Sequence, residues 1–315
     1  MQSAALEPIS LAADQSKVTA ALGASLRRYG FAMICDHGID PALIARGWEL
    51  TAKFFALPLE QKQSYYLPGL AGARGYTPFG TEIAKGAERH DLKEFWHVGR
   101  DLPPGHRLEA GMPPNVWPDQ IEGFRETFTR LYAAFDRAGS VILSCIALNL
   151  GLDAHWFDSA IADGNSVLRL LHYPPMADAL DSSGPGAIRA GAHGDINLIT
   201  LLLGAEEAGL ELLDRNGEWL TVDPPKGALV VNIGDMLERL TNHAMPSTIH
   251  RVRNPNPARA AFSRYSMPFF LHPRSDFSIA TLPGCITPDS PDRYPEPITA
   301  NAFLQERLRE IGLKQ

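Results

Sequence analysis

The chain has 315 residues, 45% hydrophobic and 21% charged, with a formal net charge of −7. That length supplies ample apolar surface for one large domain or two ordinary ones. The acidic balance argues against a nucleic-acid or anionic-membrane partner, for which a basic face is needed. Three widely spaced cysteines, Cys35, Cys145 and Cys285, form no C-x-x-C pair. They spell neither a disulfide framework nor a zinc ribbon, and they fit a reducing cytoplasm. Met1 to Leu11 lacks the charged and apolar regions of a signal peptide. The longest apolar stretches fall short of the roughly 20 residues of a membrane span.

Pro8 to Leu11 reads as a short strand, and Ala13 to Tyr29 has helical periodicity ending near Gly30. Phe31 to Cys35 is a second short strand, running into the turn Asp36-His37-Gly38. Asp40-Pro41 opens a helix with Leu43, Ile44, Leu50, Phe54 and Phe55 inward, stopping near Pro58. Tyr66 to Pro118, rich in Gly and Pro, is expected to be mostly loop with short strands. A long helix follows from about Pro118 to Leu150, with Phe124, Phe128, Leu131, Phe135, Ile142 and Ile146 at helical spacing. A short helix is expected over Asp153 to Ala162.

After Val167 the pattern changes to short β-rich runs. They are Val167–His172, Ala190–His193, Leu198–Leu203, Leu210–Leu213, Trp219–Val222, Ala228–Ile233, Thr248–Val252 and Ser263–Leu271, with Asn216-Gly217 as a hairpin turn. Asn301 to Leu313 closes the chain as an amphipathic helix. The expected class is α+β with a mainly β core, a jelly roll (double-stranded β-helix) flanked by helices. Residues 1–150 would form a helical region with short strands packed on that core, and residues 151–315 the jelly roll with its C-terminal helix.

His193-Gly194-Asp195 places an imidazole and a carboxylate two residues apart, and His250 follows 57 residues after His193. In an extended strand, i and i+2 share a face, so the first two could reach one ion. Two imidazoles and a carboxylate on one face of an octahedron leave three positions open, as in non-haem Fe(II) oxygenases. Alone, H-x-D also arises by chance, and a histidine such as His250 is ordinarily a hydrogen-bonded core residue.

The flanking segments narrow the choice. Phe31 to Ile39 resembles the F-x-x-x-x-x-H-G-I entry of the isopenicillin N synthase-like, 2-oxoglutarate/Fe(II)-dependent dioxygenases, and Phe54 to Lys62 resembles that family's F-F-x-L-P-x-x-x-K. Arg74-Gly-Tyr76, Asp91 to Glu94, Tyr173-Pro-Pro175, Gly191 to Asp195, Asn232 to Asp235, Leu240 to Asn242, Ser247 to Val252 and Arg264 to Phe270 follow in family order. The resemblance implies Fe(II) held by His193, Asp195 and His250. It also implies that Arg264 and Ser266 grip the far carboxylate of 2-oxoglutarate, with Tyr173 adding a hydrogen bond. A guanidinium meets a carboxylate with two parallel charge-assisted bonds, and residues 264 and 266 share a strand face. Arg169 sits where some relatives place a basic residue near the co-substrate, and is read as structural.

The implied reaction consumes O2 and 2-oxoglutarate, releases succinate and CO2, and oxidises a C–H bond of a small molecule by hydroxylation or desaturation. The same fold also serves oxidases that do without 2-oxoglutarate, of the isopenicillin N synthase or ACC-oxidase type, and an ethylene- and succinate-forming relative. Candidate substrate-facing residues are Tyr76, Phe79, Trp96 and Phe270. No nucleic-acid or membrane partner is expected, and a monomer is. Several positions depart from the family pattern. Gly194 stands where Thr is common, and Asn197 stands where Gly is frequent, with its tolerance of left-handed backbone expected to preserve the turn. Leu171 stands where plant relatives place an Asn, and His243 replaces a Gly and reads as a turn residue. Arg264 lies 14 residues after His250, farther than is usual, with Arg253 to Phe262 read as an enlarged loop. The other histidines (His37, His90, His97, His106, His155, His172 and His272) lack paired ligand spacing and read as structural or solvated. No H-E-x-x-H pairing supports a zinc hydrolase.

Overall fold

A computed structural model describes residues 3–70, 72–81, 90–176, 189–204, 209–255 and 257–310. In chain order, β1 (Pro8–Ser10), α1 (Gln15–Tyr29), β2 (Phe31–Cys35), α2 (Pro41–Phe55), α3 (Leu59–Gln63), β3 (Gly75–Thr77), β4 (Glu94–Gly99) and α4 (Phe124–Asn149) make up the first half. The second half contains α5 (Asp158–Ile161), β5 (Val167–Tyr173), β6 (Ala190–His193), β7 (Ile199–Leu203), β8 (Leu210–Leu213), β9 (Trp219–Thr221) and β10 (Leu229–Ile233). It continues through α6 (Asp235–Leu240), β11 (His250–Val252), β12 (Arg264–Leu271), β13 (Ser278–Ile279), β14 (Ile298–Thr299) and α7 (Ala300–Glu310). Residues 311–313 of the expected last helix lie outside the described residues.

Local chemistry sets the helix ends. Asp14 and Asp40 each accept the backbone N–H two residues on, capping α1 and α2, and Pro41 opens α2. Gly30 closes α1 with φ of 67°, the left-handed conformation glycine adopts without steric cost.

Eight strands form one sheet in the order β1-β2-β10-β7-β12-β5-β4-β3, and four form a second in the order β6-β11-β8-β9. Alternation along β12 divides its residues between two environments. Met267, Phe269 and Leu271 enter the helix-covered core, where the Phe269 ring stacks on Phe135 of α4 at 5.6 Å. Arg264, Ser266, Pro268 and Phe270 therefore face the smaller sheet. Helix α4 is long and apolar enough by composition to cross a bilayer, yet most of it is buried here against α1, α2 and the large sheet. Gly139 permits that close approach, since a Cβ there would sit 2.2 Å from Leu271 Cδ1. Between the sheets lie two further apolar clusters. Phe31, Met33, Leu210, Leu212, Leu220, Val222 and Val230 fill one end, and Phe95, Leu171, Tyr173, Ala190 and Val252 the other. This is the double-sheet jelly roll expected. The expected division at residue 150 falls between α4 and β5, and the two parts share a sheet, because β1 to β4 join it at both edges.

On the helix side of the large sheet, one polar cluster is buried. Both Glu94 carboxylate oxygens lie 2.8 Å from Lys62 Nζ, His172 Nδ1 is 2.7 Å away, and the Tyr76 hydroxyl donates to the same group. Burial pushes the Glu94 carboxyl up, but bonds from His172, Lys62 and Tyr76 outweigh it and hold the group below the usual glutamate range. Glu94→Ala strands a buried ammonium and should cost about 3–5 kcal/mol, read as a lower urea midpoint. Because the folded-state carboxyl is depressed, its contribution is present above the ordinary glutamate range and lost as pH falls through the folded value. The difference between wild type and Glu94→Ala should accordingly shrink in acid.

Candidate metal centre

Strand pairing brings the two histidines together. His193 ends β6 and lies directly across from His250 on β11, with ring centroids 4.5 Å apart. Asp195 sits just beyond the end of β6, in the turn leading to β7, rather than in extended strand. His193 Nε2 is 4.0 Å from Asp195 Oδ1, His250 Nε2 is 3.9 Å from Asp195 Oδ2, and one ligand atom from each residue falls within 4.8 Å of the others.

Every member of the trio is oriented by a second contact. His193 Nδ1 donates to the Gly191 carbonyl at 2.7 Å, and His250 Nδ1 donates to the Thr248 carbonyl at 3.1 Å. A carbonyl only accepts, so each ring carries a proton on Nδ1, and Nε2 is left as the atom that could bind a metal. Phe31 packs edge-on against the His250 ring at 5.5 Å. Asp195 Oδ2 accepts from Thr200 Oγ1 at 2.5 Å and from Asn232 Nδ2 at 2.8 Å, and its backbone carbonyl accepts from the Asp235 N–H at 2.7 Å. Thr200 and Asn232 are themselves opposite one another in the β7–β10 register.

Electrostatics complete the donor set. Desolvation by the surrounding protein, followed by the neighbouring His250, holds His193 below the usual imidazole range even though the side chain is only partly buried. Burial alone would raise Asp195, but His250, His193, Asn232 and Thr200 together hold it below the usual carboxylate range. Near neutral pH the site presents a neutral imidazole at His193 and a carboxylate, the forms in which these side chains ligate a metal. Two imidazoles and one carboxylate, without a thiolate, suit Fe(II).

The co-substrate residues predicted from sequence also meet. Arg264 and Ser266 are 4% and 3% exposed on the inner face of β12. Arg264 lies opposite Tyr173 on β5, its guanidinium 5.0 Å from that ring, and Ser266 lies opposite Leu171. Arg189, not singled out in the sequence, brings a second buried guanidinium to 5.9 Å from the Tyr173 ring.

The four substrate-facing candidates separate. Phe270 is on the inner face, across from Thr200. Phe79 packs with Leu92, Met176 and Ala260, next to the end of β5. Tyr76 and Trp96 correct the expectation: both are fully buried among Phe54, Phe124 and the α4 core, on the face turned away from Tyr173. On β4 the inward positions are Phe95 and His97 instead. Asn197 is a second correction. It is not among the positive-φ residues, and its Nδ2 donates to Ile199 O and Thr200 Oγ1. It secures the turn through its side chain. His243 does adopt φ of 65° and bonds the Tyr294 hydroxyl. A Cβ on Gly194 would lie 3.3 Å from both Asp235 Oδ1 and Ser247 Oγ, so a larger residue there requires its neighbours to shift.

Sequence comparison matches residues 3–120 to the family described as non-haem dioxygenase in morphine synthesis N-terminal, and residues 164–273 to the 2OG-Fe(II) oxygenase superfamily. The chain is 34% identical over 308 residues to the 2-oxoglutarate-Fe(II) type oxidoreductase hxnY of Emericella nidulans, covering 95% of this chain and 86% of the relative. A crystal structure of a 2OG-Fe(II) oxygenase family protein from Caulobacter crescentus superposes with a TM-score of 0.90 at 55% identity, covering 98% of this chain and 100% of that one. A full-length Neurospora crassa protein, crystallised in complex with alpha-KG and thymine, superposes with a TM-score of 0.83 at 30% identity, with 96% of each chain covered.

Proposed function

The chain belongs to the 2OG-Fe(II) oxygenase superfamily, and from that premise we propose that His193, Asp195 and His250 hold its iron while Arg264, Ser266 and Tyr173 grip the far carboxylate of 2-oxoglutarate. The protein is an Fe(II)- and 2-oxoglutarate-dependent dioxygenase that oxidises a small molecule. Bound Fe(II) supplies the O2 chemistry that couples release of succinate and CO2 to oxidation of a substrate C–H bond.

The chain's own residues supply positioning. Thr200 and Asn232 fix the rotation of the Asp195 carboxylate, and the Gly191 and Thr248 carbonyls fix the tautomers of the two histidines. Arg264 offers two parallel donors to a carboxylate, and Ser266 adds a hydroxyl on the same face. The apolar residues Phe95, Leu171, Ala190 and Val252 exclude water between the sheets. The observation that carries the ligand assignment is the convergence of two imidazoles and one hydrogen-bonded carboxylate, with ligand atoms within 4.8 Å of one another.

Thr200 and Asn232 join the set proposed from sequence, Phe79 and Phe270 stay in it, and Tyr76 and Trp96 leave it. A cytoplasmic setting is supported by three unpaired cysteines. The test is succinate formation from 2-oxoglutarate by the iron-loaded protein under air, over a metabolite panel that includes thymine. Some members should stimulate succinate formation above the basal level. If succinate never exceeds the metal-free control, 2-oxoglutarate turnover is refuted.

A further inference from the structure

We propose that Asp91, braced by Lys93, is a positioning residue for the metal site: it clamps Gly191, whose carbonyl orients the His193 imidazole. The proposal rests on the reading of His193, Asp195 and His250 as the metal centre. It adds to that centre a residue that acts on a ligand through the backbone.

The two histidines are held unequally. His250 lies on β11, whose neighbours β6 and β8 hold it from both sides, and Phe31 packs on its ring. His193 ends β6, a four-residue strand at the edge of that sheet. Its side chain is 36% exposed, against 10% for His250. An edge strand turns half of its backbone groups away from the ladder. In an antiparallel strand the N–H and C=O of one residue point to the same side. At Gly191 that side is the open edge. Its carbonyl accepts from His193 Nδ1 at 2.7 Å, and its N–H donates to Asp91 Oδ1 at 2.9 Å. Gly191 is buried, so losing the Asp91 acceptor leaves an N–H with a real cost and a reason to move.

Asp91 is itself fixed. The Lys93 N–H donates to the Asp91 carbonyl at 2.9 Å, a tight turn that lets the two side chains meet, and Lys93 Nζ lies 2.8 Å from Asp91 Oδ2. Both residues are buried. One carboxylate oxygen thus serves the ammonium and the other serves the Gly191 N–H. Glu94, the next residue, turns the opposite way to Lys62 and His172, so the Asp91–Lys93 pair is separate from that cluster. The run Lys93, Asp91, Gly191, His193 links a buried ion pair to a ligand ring across the open edge of β6. Without the Asp91 acceptor, residue 191 is free to rotate at that edge. The His193 ring then loses the carbonyl that fixes both its tautomer and its aim.

The test compares two variants in which stability and iron binding should part company. Asp91→Asn keeps an oxygen for the Gly191 N–H but strands the buried Lys93 ammonium. Asp91→Leu combined with Lys93→Met removes both charges together, which a folded protein tolerates, but leaves Gly191 without its acceptor. Asp91→Asn should show the lower urea midpoint and yet bind Fe(II) within a few-fold of wild type. The double variant should keep a near-native midpoint and bind Fe(II), added anaerobically, about tenfold more weakly, the lower end of the loss when a ligand's orienting partner is removed. Wild-type Fe(II) affinity in the folded double variant overturns the proposal, and so does a loss that follows the charge and is greater in Asp91→Asn. If wild type binds no Fe(II), the metal reading has failed instead. The proposal is then read from the nitrogen NMR shifts of the His193 imidazole in metal-free protein. That ring should be the Nδ1–H tautomer in wild type and a mixture in the double variant, and an unchanged tautomer there overturns the proposal.

Discussion

Asp195→Ala is expected to abolish stoichiometric iron loading while leaving the fold in place. Asp195 is the one anionic member of the trio, and its two oxygens face the two histidines at 4.0 and 3.9 Å. Outer-sphere partners of a metal ligand already carry about 10–100-fold in affinity, so loss of the ligand itself should exceed about a hundredfold. Stability should respond far less. Removing the carboxylate deprives the buried Thr200 and Asn232 side chains of an acceptor, which costs about 1–3 kcal/mol, and it also relieves the burial of a charge. Circular dichroism should be native, and metal analysis should find little iron. His193→Ala should behave alike, with a smaller stability cost because its side chain is 36% exposed. One iron retained per chain in either variant contradicts the ligand set.

Arg264→Met is expected to raise the KM for 2-oxoglutarate by about a hundredfold, the equivalent of two charge-assisted hydrogen bonds less what water recovers. Iron loading should be unaffected, because Arg264 belongs to β12 and none of the three ligands does. With 2-oxoglutarate saturating, kcat should fall much less than kcat/KM, since the lost contact is made equally before and during the reaction. Ser266→Ala, which removes one neutral donor, should cost only a few-fold. Unchanged 2-oxoglutarate affinity in Arg264→Met removes that residue from the co-substrate site.

The ligand trio was legible because two of its members are near neighbours and the third lies in a segment of characteristic order. Arg264 and Ser266 were proposed because their segment resembles the family's, and strand alternation adds only that they share one face. Thr200 and Asn232 were not, since they reach Asp195 from 5 and 37 residues away through the β7–β10 pairing, which no local pattern announces. Tyr76 and Trp96 were assigned to the wrong face for a related reason. All six residues of β4 are buried, so neither polarity nor burial marks which alternate set turns inward. The packing of α2 and α4 on one side of the sheet decides it, drawing Trp96 out toward Phe54 and leaving Phe95 and His97 inside. Asn197 was a misreading of means, a turn stabilised by an amide side chain where a left-handed backbone was expected.

Anaerobic addition of Fe(II) to metal-free protein, followed by 2-oxoglutarate, separates the possibilities in one titration. A weak visible charge-transfer band should develop on the second addition and saturate at one 2-oxoglutarate per iron. It should be missing in Asp195→Ala and should require much more 2-oxoglutarate in Arg264→Met. A folded, iron-loaded wild-type protein that shows no band at any 2-oxoglutarate concentration contradicts the assignment of this site as an Fe(II)/2-oxoglutarate centre.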